Sequence, residues 1–214
     1  MVKRTAPCLM LLFCFSIVSA QYENGGVITT YVGDVDCLSG LLIVKNGGGA
    51  SLLEMQNYSR LEVQSTSPLG YLGGIDDIKL FGYSHLDYYG GWTDELSMRN
   101  YSTAKLYGGR IDFISSYQKV FDVIVGWDEQ GNPIFNAHIE MFVRDYEYNP
   151  TTMRLTGTWG DFTTFNIKLL DQSSDPRFDP AIDNIKFTII PEPATILLLC
   201  FGGLLTCRKK ELQF

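Results

Sequence analysis

Paired carboxylates are the residues of this sequence best suited to chemistry. Asp76-Asp77 and Asp94-Glu95 stand at equivalent places in two copies of an internal repeat, 18 residues apart. Carboxylate pairs act as acid and base in glycoside hydrolysis, so these two pairs are candidates for a functional site. They are predicted to lie in the turns between strands and to stack into an acidic ridge. Solvated turn residues without a site are the simpler interpretation of the same pattern.

A second group of acidic residues crowds one later segment. Its members are Asp171, Asp175, Asp179 and Asp183. Carboxylate oxygens are the ligands that Ca²⁺ prefers, so Ca²⁺ is a possible ligand here, and no other cofactor is expected. Pro176 and Pro180 directly follow two of the aspartates and favour turns, and the spacing is not that of an EF-hand loop.

The other reactive side chains predict no catalytic or metal site. His85 takes an outward position in the repeat, and His138 shares a strand with Glu140 but has no third ligand at a suitable spacing. Cys37 is the only cysteine within residues 21–190, so neither an intramolecular disulfide nor a cysteine metal site can form there. The sequence has no nucleophile-elbow serine and no phosphate-binding glycine loop. We therefore expect a protein that is not an enzyme.

Aromatic rings offer another kind of site. They concentrate in or near the repeat, as Tyr83, Tyr88, Tyr89, Trp92, Tyr101 and Tyr107. Exposed ring faces could stack on sugar rings, which makes an exopolysaccharide a candidate partner. The alternative is that these rings lie in the core or stack on one another.

The repeat itself must position these side chains. Residues 53–63 align with residues 78–88 and with residues 96–106, each reading apolar-x-apolar-x-(Asn/Gly)-Tyr-Ser-x-(Leu/Ala)-x-apolar. Such a unit is two strands of period 2 that meet at a corner, where asparagine or glycine can take a left-handed backbone. Gly-Gly pairs recur beside the copies and are predicted to be turns.

This strand–corner–strand unit, closed by a glycine turn, is typical of a β-solenoid. We predict an all-β fold, with a short right-handed β-solenoid-like repeat over residues 21–110 and antiparallel β-hairpins over residues 111–190. Residues 26–44 could supply the first cap, and an antiparallel sandwich is the alternative architecture. The predicted inward side chains are Leu53, Met55, Leu61, Val63, Ile78, Leu80, Leu86, Tyr88, Leu96, Met98, Ala104 and Leu106.

The beginning of the chain reads as a secretory signal peptide over residues 1–20. Lys3 and Arg4 precede an apolar run, and Val18-Ser19-Ala20 offers small residues at the cleavage positions. Cleavage is therefore predicted between Ala20 and Gln21.

The end of the chain, residues 191–214, combines a rigid turn, a short apolar run and a basic cluster. Pro191-Glu192-Pro193-Ala194 precedes the run, and Arg208-Lys209-Lys210 follows it. A helix that spans a bilayer needs about 20 apolar residues, so this run predicts a short transmembrane helix that is held only transiently. The basic cluster would stay on the cytoplasmic side. A permanent anchor or a core strand is the alternative.

This arrangement closely resembles the PEP-CTERM sorting signal of Gram-negative bacteria. The match lies in Pro191-Glu192-Pro193-Ala194-Thr195, the apolar run and Arg208-Lys209-Lys210. The resemblance implies processing by an exosortase, a membrane-embedded transpeptidase-like enzyme, and a link to exopolysaccharide and the outer envelope. More loosely, the body is similar to secreted planctomycete-type PEP-CTERM proteins through residues 155–161 and 184–190.

The charge distribution excludes one class of partner. Lys3 and Arg4 carry +2 and residues 191–214 carry +1, so the formal charge of −7 leaves −10 on residues 21–190. Nucleic-acid affinity comes mainly from basic side chains at phosphates, so no nucleic acid is expected.

The function expected from the sequence is that of an exported cell-surface or extracellular-matrix protein. It would reach the cell envelope through the secretion machinery, after transient retention in the inner membrane. The alternative is a carbohydrate-binding or polysaccharide-cleaving β-solenoid protein, such as a polysaccharide lyase or a glycoside hydrolase. A third possibility is a permanently anchored protein with an adhesive head.

Overall fold

Alternating apolar residues fold this chain into β-strands, with one short 3₁₀ helix at Ala181–Asn184 among the described residues. The computed structural model describes residues 20–22, 24–64, 74–99, 101–117, 124–127, 133–135, 139–170 and 181–191. The strands are β1 (Ala20–Gln21), β2 (Gly25–Ile28), β3 (Tyr31–Cys37), β4 (Leu41–Val44), β5 (Gly49–Met55), β6 (Arg60–Val63), β7 (Ile75–Leu80), β8 (His85–Tyr88), β9 (Trp92–Arg99), β10 (Thr103–Leu106), β11 (Arg110–Tyr117), β12 (Ile124–Trp127), β13 (Pro133–Phe135), β14 (Ile139–Asn149), β15 (Arg154–Trp159), β16 (Thr164–Leu170) and β17 (Ile185–Ile189). The predicted all-β class is confirmed.

Two series of parallel strands make up most of the sheet. The longer strands β3, β5, β7, β9 and β11 pair in that order, and the shorter strands β2, β4, β6, β8, β10 and β14 pair in theirs. Equivalent positions of the repeat meet across the strands, so Leu53 lies opposite Ile78 and Ile78 lies opposite Leu96. The alignment of the repeat copies in the sequence is therefore the pairing register of the strands.

An antiparallel segment joins the two series. β15 pairs in antiparallel fashion with β14 on one side and with β16 on the other, while β16 pairs in parallel with β11. The resulting 15-stranded sheet is nearly closed, with β1 and β2 at its two ends. β17 pairs with β14, and β12 and β13 form a separate hairpin.

The predicted boundary between residues 110 and 111 falls at the start of β11. That strand still pairs in parallel with β9 as far as Tyr117. The parallel series of longer strands therefore continues beyond residue 110, and the antiparallel pairing begins with β12.

The core consists of the inward side chains of both series. All twelve residues predicted to point inward are at most 2% exposed. Val35 lies opposite Leu53, and Cys37 lies opposite Met55, so the same columns of side chains extend into β3. Residues 26–44, expected as a cap, thus form a further layer of the same parallel pairing. Cys37 is a buried free thiol, and burial raises its pKa.

The first two corners of the repeat have the predicted backbone, and the third, Asn100, lies outside the described residues. Asn57 has a φ of 55° and Gly82 a φ of 63°, both in the left-handed region. The Gly-Gly pairs supply further left-handed residues at the turns, with φ of 102° at Gly91 and 87° at Gly109. Glycine adopts such angles without the Cβ clash that other residues meet, which explains why it recurs there.

Several predicted features lie outside the described residues. They are the first 19 residues of the signal peptide, residues 192–214 of the sorting signal, His138, and Asp171, Asp175 and Asp179; the side chain of Asp183 is likewise not described. Among the residues that are described, no helix is long and apolar enough to cross a membrane.

Candidate functional site

A cleft opens where the parallel and antiparallel parts of the sheet meet. β11 and β16 are paired from Phe113 to Ser115, opposite Lys168 to Leu170. The residues that precede these in the two strands are not paired with one another, so the strands diverge and leave a cavity of about 510 Å³. Small-molecule sites in proteins typically measure about 300–1,000 Å³, so this cleft has room for a ligand.

The cleft has an apolar floor and a polar rim. Ile111 and Phe165 are core residues that close the bottom of the cleft, and half-buried Phe113 is the apolar side chain of the lining that a ligand can contact. The rim consists of Arg110, Asp112, Arg154, Thr164 and Asn166. Apolar walls with a few well-placed polar groups are the usual composition of a binding site for a small molecule.

Asp112 fixes one side of the rim. Its Oδ1 accepts a hydrogen bond from Arg110 Nε at 2.8 Å, and its Oδ2 accepts from Arg110 Nη2 at 3.1 Å and from Trp92 Nε1 at 3.0 Å. Burial alone would raise the pKa of Asp112, but these hydrogen bonds bring it below its ordinary value. The carboxylate therefore stays ionised and holds both neighbours in place.

Arg154 and Asn166 form the opposite side of the rim. Arg154 Nη1 donates to Asn166 Oδ1 at 2.9 Å. Lys168 lies directly across from Arg154 in the register of β15 and β16. Positive charge is thus concentrated at this side of the cleft, on a body that is acidic as a whole.

Carboxylates run from the cleft across three neighbouring strands. Asp77 pairs with Glu95, and Glu95 pairs with Phe113. The residue before each of these three is an aspartate, so three aspartates lie side by side on neighbouring strands: Asp76, Asp94 and Asp112. The two acidic pairs therefore stack as predicted. The prediction that they lie in turns is wrong, because they belong to β7 and β9, each with two successive half-buried residues in mid-strand.

The carboxylates of this column titrate in opposite directions. Burial raises the pKa of Asp94, and the charges of Asp112 and Glu95 raise it further, whereas the pKa of Asp112 is lowered. Such a pair can act as proton donor and proton acceptor. Here both oxygens of Asp112 are occupied by hydrogen bonds within the protein, so the arrangement favours positioning over catalysis. In the described part of the chain, no group of three or more His, Cys, Asp or Glu is placed to hold a metal ion.

The aromatic residues of the repeat stack on one another. Tyr83 lies between Tyr58 and Tyr101, with ring centroids 5.0 and 4.8 Å apart and interplanar angles of 5° and 12°. Tyr107 lies in the same way between Tyr89 and Phe142. Ring faces that cover each other cannot also stack on sugars, so the predicted aromatic platform is reduced to the outermost rings.

Trp92 is the predicted aromatic residue that adjoins the cleft, through its hydrogen bond to Asp112. Tyr88 belongs instead to the core.

A second polar cluster surrounds Asp87 on the face of the shorter strands. The side chain of Asp87 is 5% exposed and accepts a hydrogen bond from Arg60 Nε at 3.1 Å. His85 Nε2 lies 3.3 Å from its other oxygen, and His85 Nδ1 hydrogen-bonds with Thr103 Oγ1 at 2.7 Å. His85, predicted to be a surface residue, is thus a half-buried member of a structural network.

Asp87 makes the stability of the fold depend on pH. Burial would raise the pKa of Asp87, but the hydrogen bond from Arg60 and the charge of His85 bring it below its ordinary value. A carboxyl with a lower pKa in the folded than in the unfolded protein stabilises fully above the unfolded value, about 3.9. That stabilisation is lost as the pH falls through the folded value.

Asp87→Asn is therefore expected to lower the free energy of unfolding by about 1–3 kcal/mol at pH 7, because Arg60 and His85 lose their charged partner. Urea unfolding at pH 7 and pH 3 tests this, with Asp34→Asn as the control because Asp34 is an exposed strand aspartate. The difference between wild type and Asp87→Asn should shrink at pH 3. A difference that is the same at both pH values would contradict the assignment.

Of the predicted processing residues, the structure describes Ala20, Gln21 and Pro191, and none of these three lines the cleft. Ala20 and Gln21 form β1, and Pro191 directly follows Ile190, whose N–H donates to Val143 O at 2.8 Å. Pro191 is exposed, and Glu192 to Lys210 lie beyond the described residues.

The sequence did not predict Arg110, Arg154 and Asn166 as site residues, because they come together only where β11 pairs with β16.

The chain matches none of the protein-family models, curated proteins or solved structures with which it was compared.

Proposed function

We propose that this chain is an exported protein of the cell surface or extracellular matrix, sorted through a PEP-CTERM signal at residues 191–214 and processed there by an exosortase. A signal peptide, cleaved between Ala20 and Gln21, would direct it into the secretion machinery. The observation that carries the proposal is the Pro-Glu-Pro turn, apolar run and basic cluster of the last segment.

The position of the last strand supports this proposal. β17 completes its pairing with β14 at Ile189, and the next backbone hydrogen bond, from Ile190, is the last one before exposed Pro191. All the strands of the described sheet precede the Pro-Glu-Pro turn. Cleavage after Pro191 would therefore remove none of these strands.

Substitution of Pro191, Glu192 and Pro193 by alanine in the native host tests the sorting. The variant is expected to keep its C-terminal segment and to accumulate in the inner-membrane fraction. Mass spectrometry of the C-terminus and cell fractionation measure this, with Lys45→Ala as a control substitution far from the segment. Wild-type protein that reaches the envelope with Phe214 still in place would overturn the proposal.

We infer that the parallel series are successive turns of a short right-handed β-solenoid, closed at one end by β14–β17. The parallel register of β5, β7 and β9 supports this architecture over an antiparallel sandwich. Right-handed crossovers between parallel strands are the rule, which supports the handedness.

A second candidate function is carbohydrate binding at the cleft between β11 and β16. It is favoured by the half-buried ring of Phe113 beside a rim of hydrogen-bonding side chains, which can receive the ring and the hydroxyls of a sugar. Calorimetric titration of the full-length chain in detergent with neutral and acidic oligosaccharides tests it. The expected result is binding without release of reducing or unsaturated ends. Release of such ends would show cleavage, and failure of every sugar to bind would reject this function.

A further inference from the structure

We propose that the cleft between β11 and β16 recognises the carboxylate of an acidic sugar through Arg154. This inference rests on the second candidate function, carbohydrate binding, and names the chemical class of the ligand. It depends on three features of the cleft: the partners of its two arginines, the place of the neighbouring acidic residues, and the apolar floor.

The two arginines of the rim differ in their partners. Arg110 is held by the carboxylate of Asp112 through two hydrogen bonds of 2.8 and 3.1 Å. Arg154 is held by a neutral amide, since one of its N–H groups donates to Asn166 Oδ1 at 2.9 Å. A guanidinium carries five N–H donors in a planar fork that matches a carboxylate, so Arg154 can bind one in bidentate fashion.

Asn166 gives this arginine a defined orientation. The two residues lie on neighbouring strands, β15 and β16, whose register pairs Arg154 with Lys168 and Thr156 with Asn166. A guanidinium positioned on a strand loses less conformational entropy on binding than one on a mobile loop. Lys168, directly opposite, adds a second positive charge near the same site.

The acidic column determines which way an anionic ligand must lie. Asp112 on β11 and Asp94 and Glu95 on the next strand occupy the side of the cleft away from β15. The charge of Arg154 acts on Asp112, whose carboxylate is already held by Arg110 and Trp92. A carboxylate on that side would be repelled, whereas one beside Arg154 and Lys168 would be attracted. The cleft thus has one favourable side for a negative group.

The apolar floor of the cleft offers a contact for the sugar ring through Phe113. Ile111 and Phe165 close the bottom of the cleft as core residues, and Phe113 is the half-buried apolar side chain beside them. The C–H face of a pyranose ring can pack against the ring of Phe113, while its hydroxyls reach the rim. An acidic sugar uses both the floor and the arginine, and a neutral sugar uses only the floor and the hydroxyl contacts.

The experiment compares uronate oligosaccharides with their carboxyl-reduced counterparts, which differ only at the charged group. Trimers of galacturonate, glucuronate, mannuronate and guluronate are titrated into the full-length chain in detergent. At least one uronate trimer is expected to bind about 10-fold or more tightly than its reduced form. Its affinity should fall as NaCl is raised, and the affinity of the reduced form should not.

Variants locate the charged contact. Arg154→Gln is expected to abolish the preference for the carboxylate, and Arg154→Lys to keep part of it, because lysine retains the charge without the fork. Arg99→Gln removes the same charge from the far end of β9 and should leave binding unchanged. Thermal unfolding of each variant verifies that the fold is retained.

Two different negative results separate this inference from the function on which it rests. Equal binding of uronate and reduced trimers, or an unchanged preference in Arg154→Gln, would overturn the role of Arg154 and leave carbohydrate binding standing. Failure of all the trimers to bind would overturn both. Binding of sulfated but not of carboxylated oligosaccharides would also reject the inference, because the bound anion would then be sulfate.

Discussion

Replacing Trp159 with alanine is expected to destabilise the folded protein by about 3–5 kcal/mol, the range for truncating a large buried aromatic side chain. Trp159 is 0% exposed, and its indole packs on Phe165 with ring centroids 4.6 Å apart. Its Nε1 donates to the backbone oxygen of Gly109 at 2.9 Å. The side chain thus ties the antiparallel segment to the turn that precedes β11, and its removal would leave a cavity at that junction.

Urea unfolding of the variant, followed by intrinsic fluorescence and circular dichroism, measures the loss. Trp159→Phe should lose less than Trp159→Ala, because it retains most of the apolar contact and gives up the hydrogen bond to Gly109. Ile189→Ala is the control, since Ile189 is 52% exposed and its truncation should change stability by about 0.5 kcal/mol or less. A loss below about 1 kcal/mol for Trp159→Ala would show that the junction does not depend on this residue.

Gly109→Ala is expected to destabilise by roughly 2–5 kcal/mol, from a strained backbone and a steric overlap together. Gly109 has a φ of 87°, and a Cβ there would lie 2.9 Å from Gly90 Cα and 2.9 Å from Gly91 O. These are backbone atoms of the adjacent layer, which cannot move aside as a flexible side chain could. The turn after β10 therefore requires glycine at this position.

Gly90→Ala is the matched control, because it alters a glycine of the equivalent Gly-Gly pair. A Cβ at Gly90 would meet nothing closer than Gln64 O at 4.0 Å, and its φ is not in the left-handed region. Its substitution should change stability by about 0.5 kcal/mol or less. Thermal and urea unfolding of both variants test the contrast, and equal losses would refute the steric explanation.

The repeat could be predicted from the sequence because the residues that align between its copies are the residues that pair across its strands. Parallel strands of equal period place equivalent residues side by side, so the columns that begin at Leu53 and Met55 follow from the alignment alone. The left-handed backbone of Asn57 was likewise predictable, since few residue types tolerate it.

The cleft could not be predicted in the same way. It depends on Phe113 meeting Lys168, a pairing of residues far apart in the chain that belongs to no repeat. Asp94-Glu95 was wrongly assigned to a turn because two successive acidic residues interrupt the alternation expected of a strand, and in the structure both are half-buried within β9. The tyrosines stack because equivalent residues of successive repeat copies lie side by side, but the sequence alone does not show which ring faces are covered.

If the chain is exported as proposed, the short strand β1 bears on the order of folding and signal cleavage. Ala20 and Gln21 pair with Val35 and Asp36 of β3, so the peptide bond predicted to be cut lies in an edge strand that is hydrogen-bonded to the sheet on one side. A peptidase binds its substrate as an extended chain whose backbone groups are available, and the groups of β1 that face β3 are already paired. If a signal peptide is cleaved at this bond, we therefore expect cleavage to precede closure of the first layer, while β1 is still unpaired.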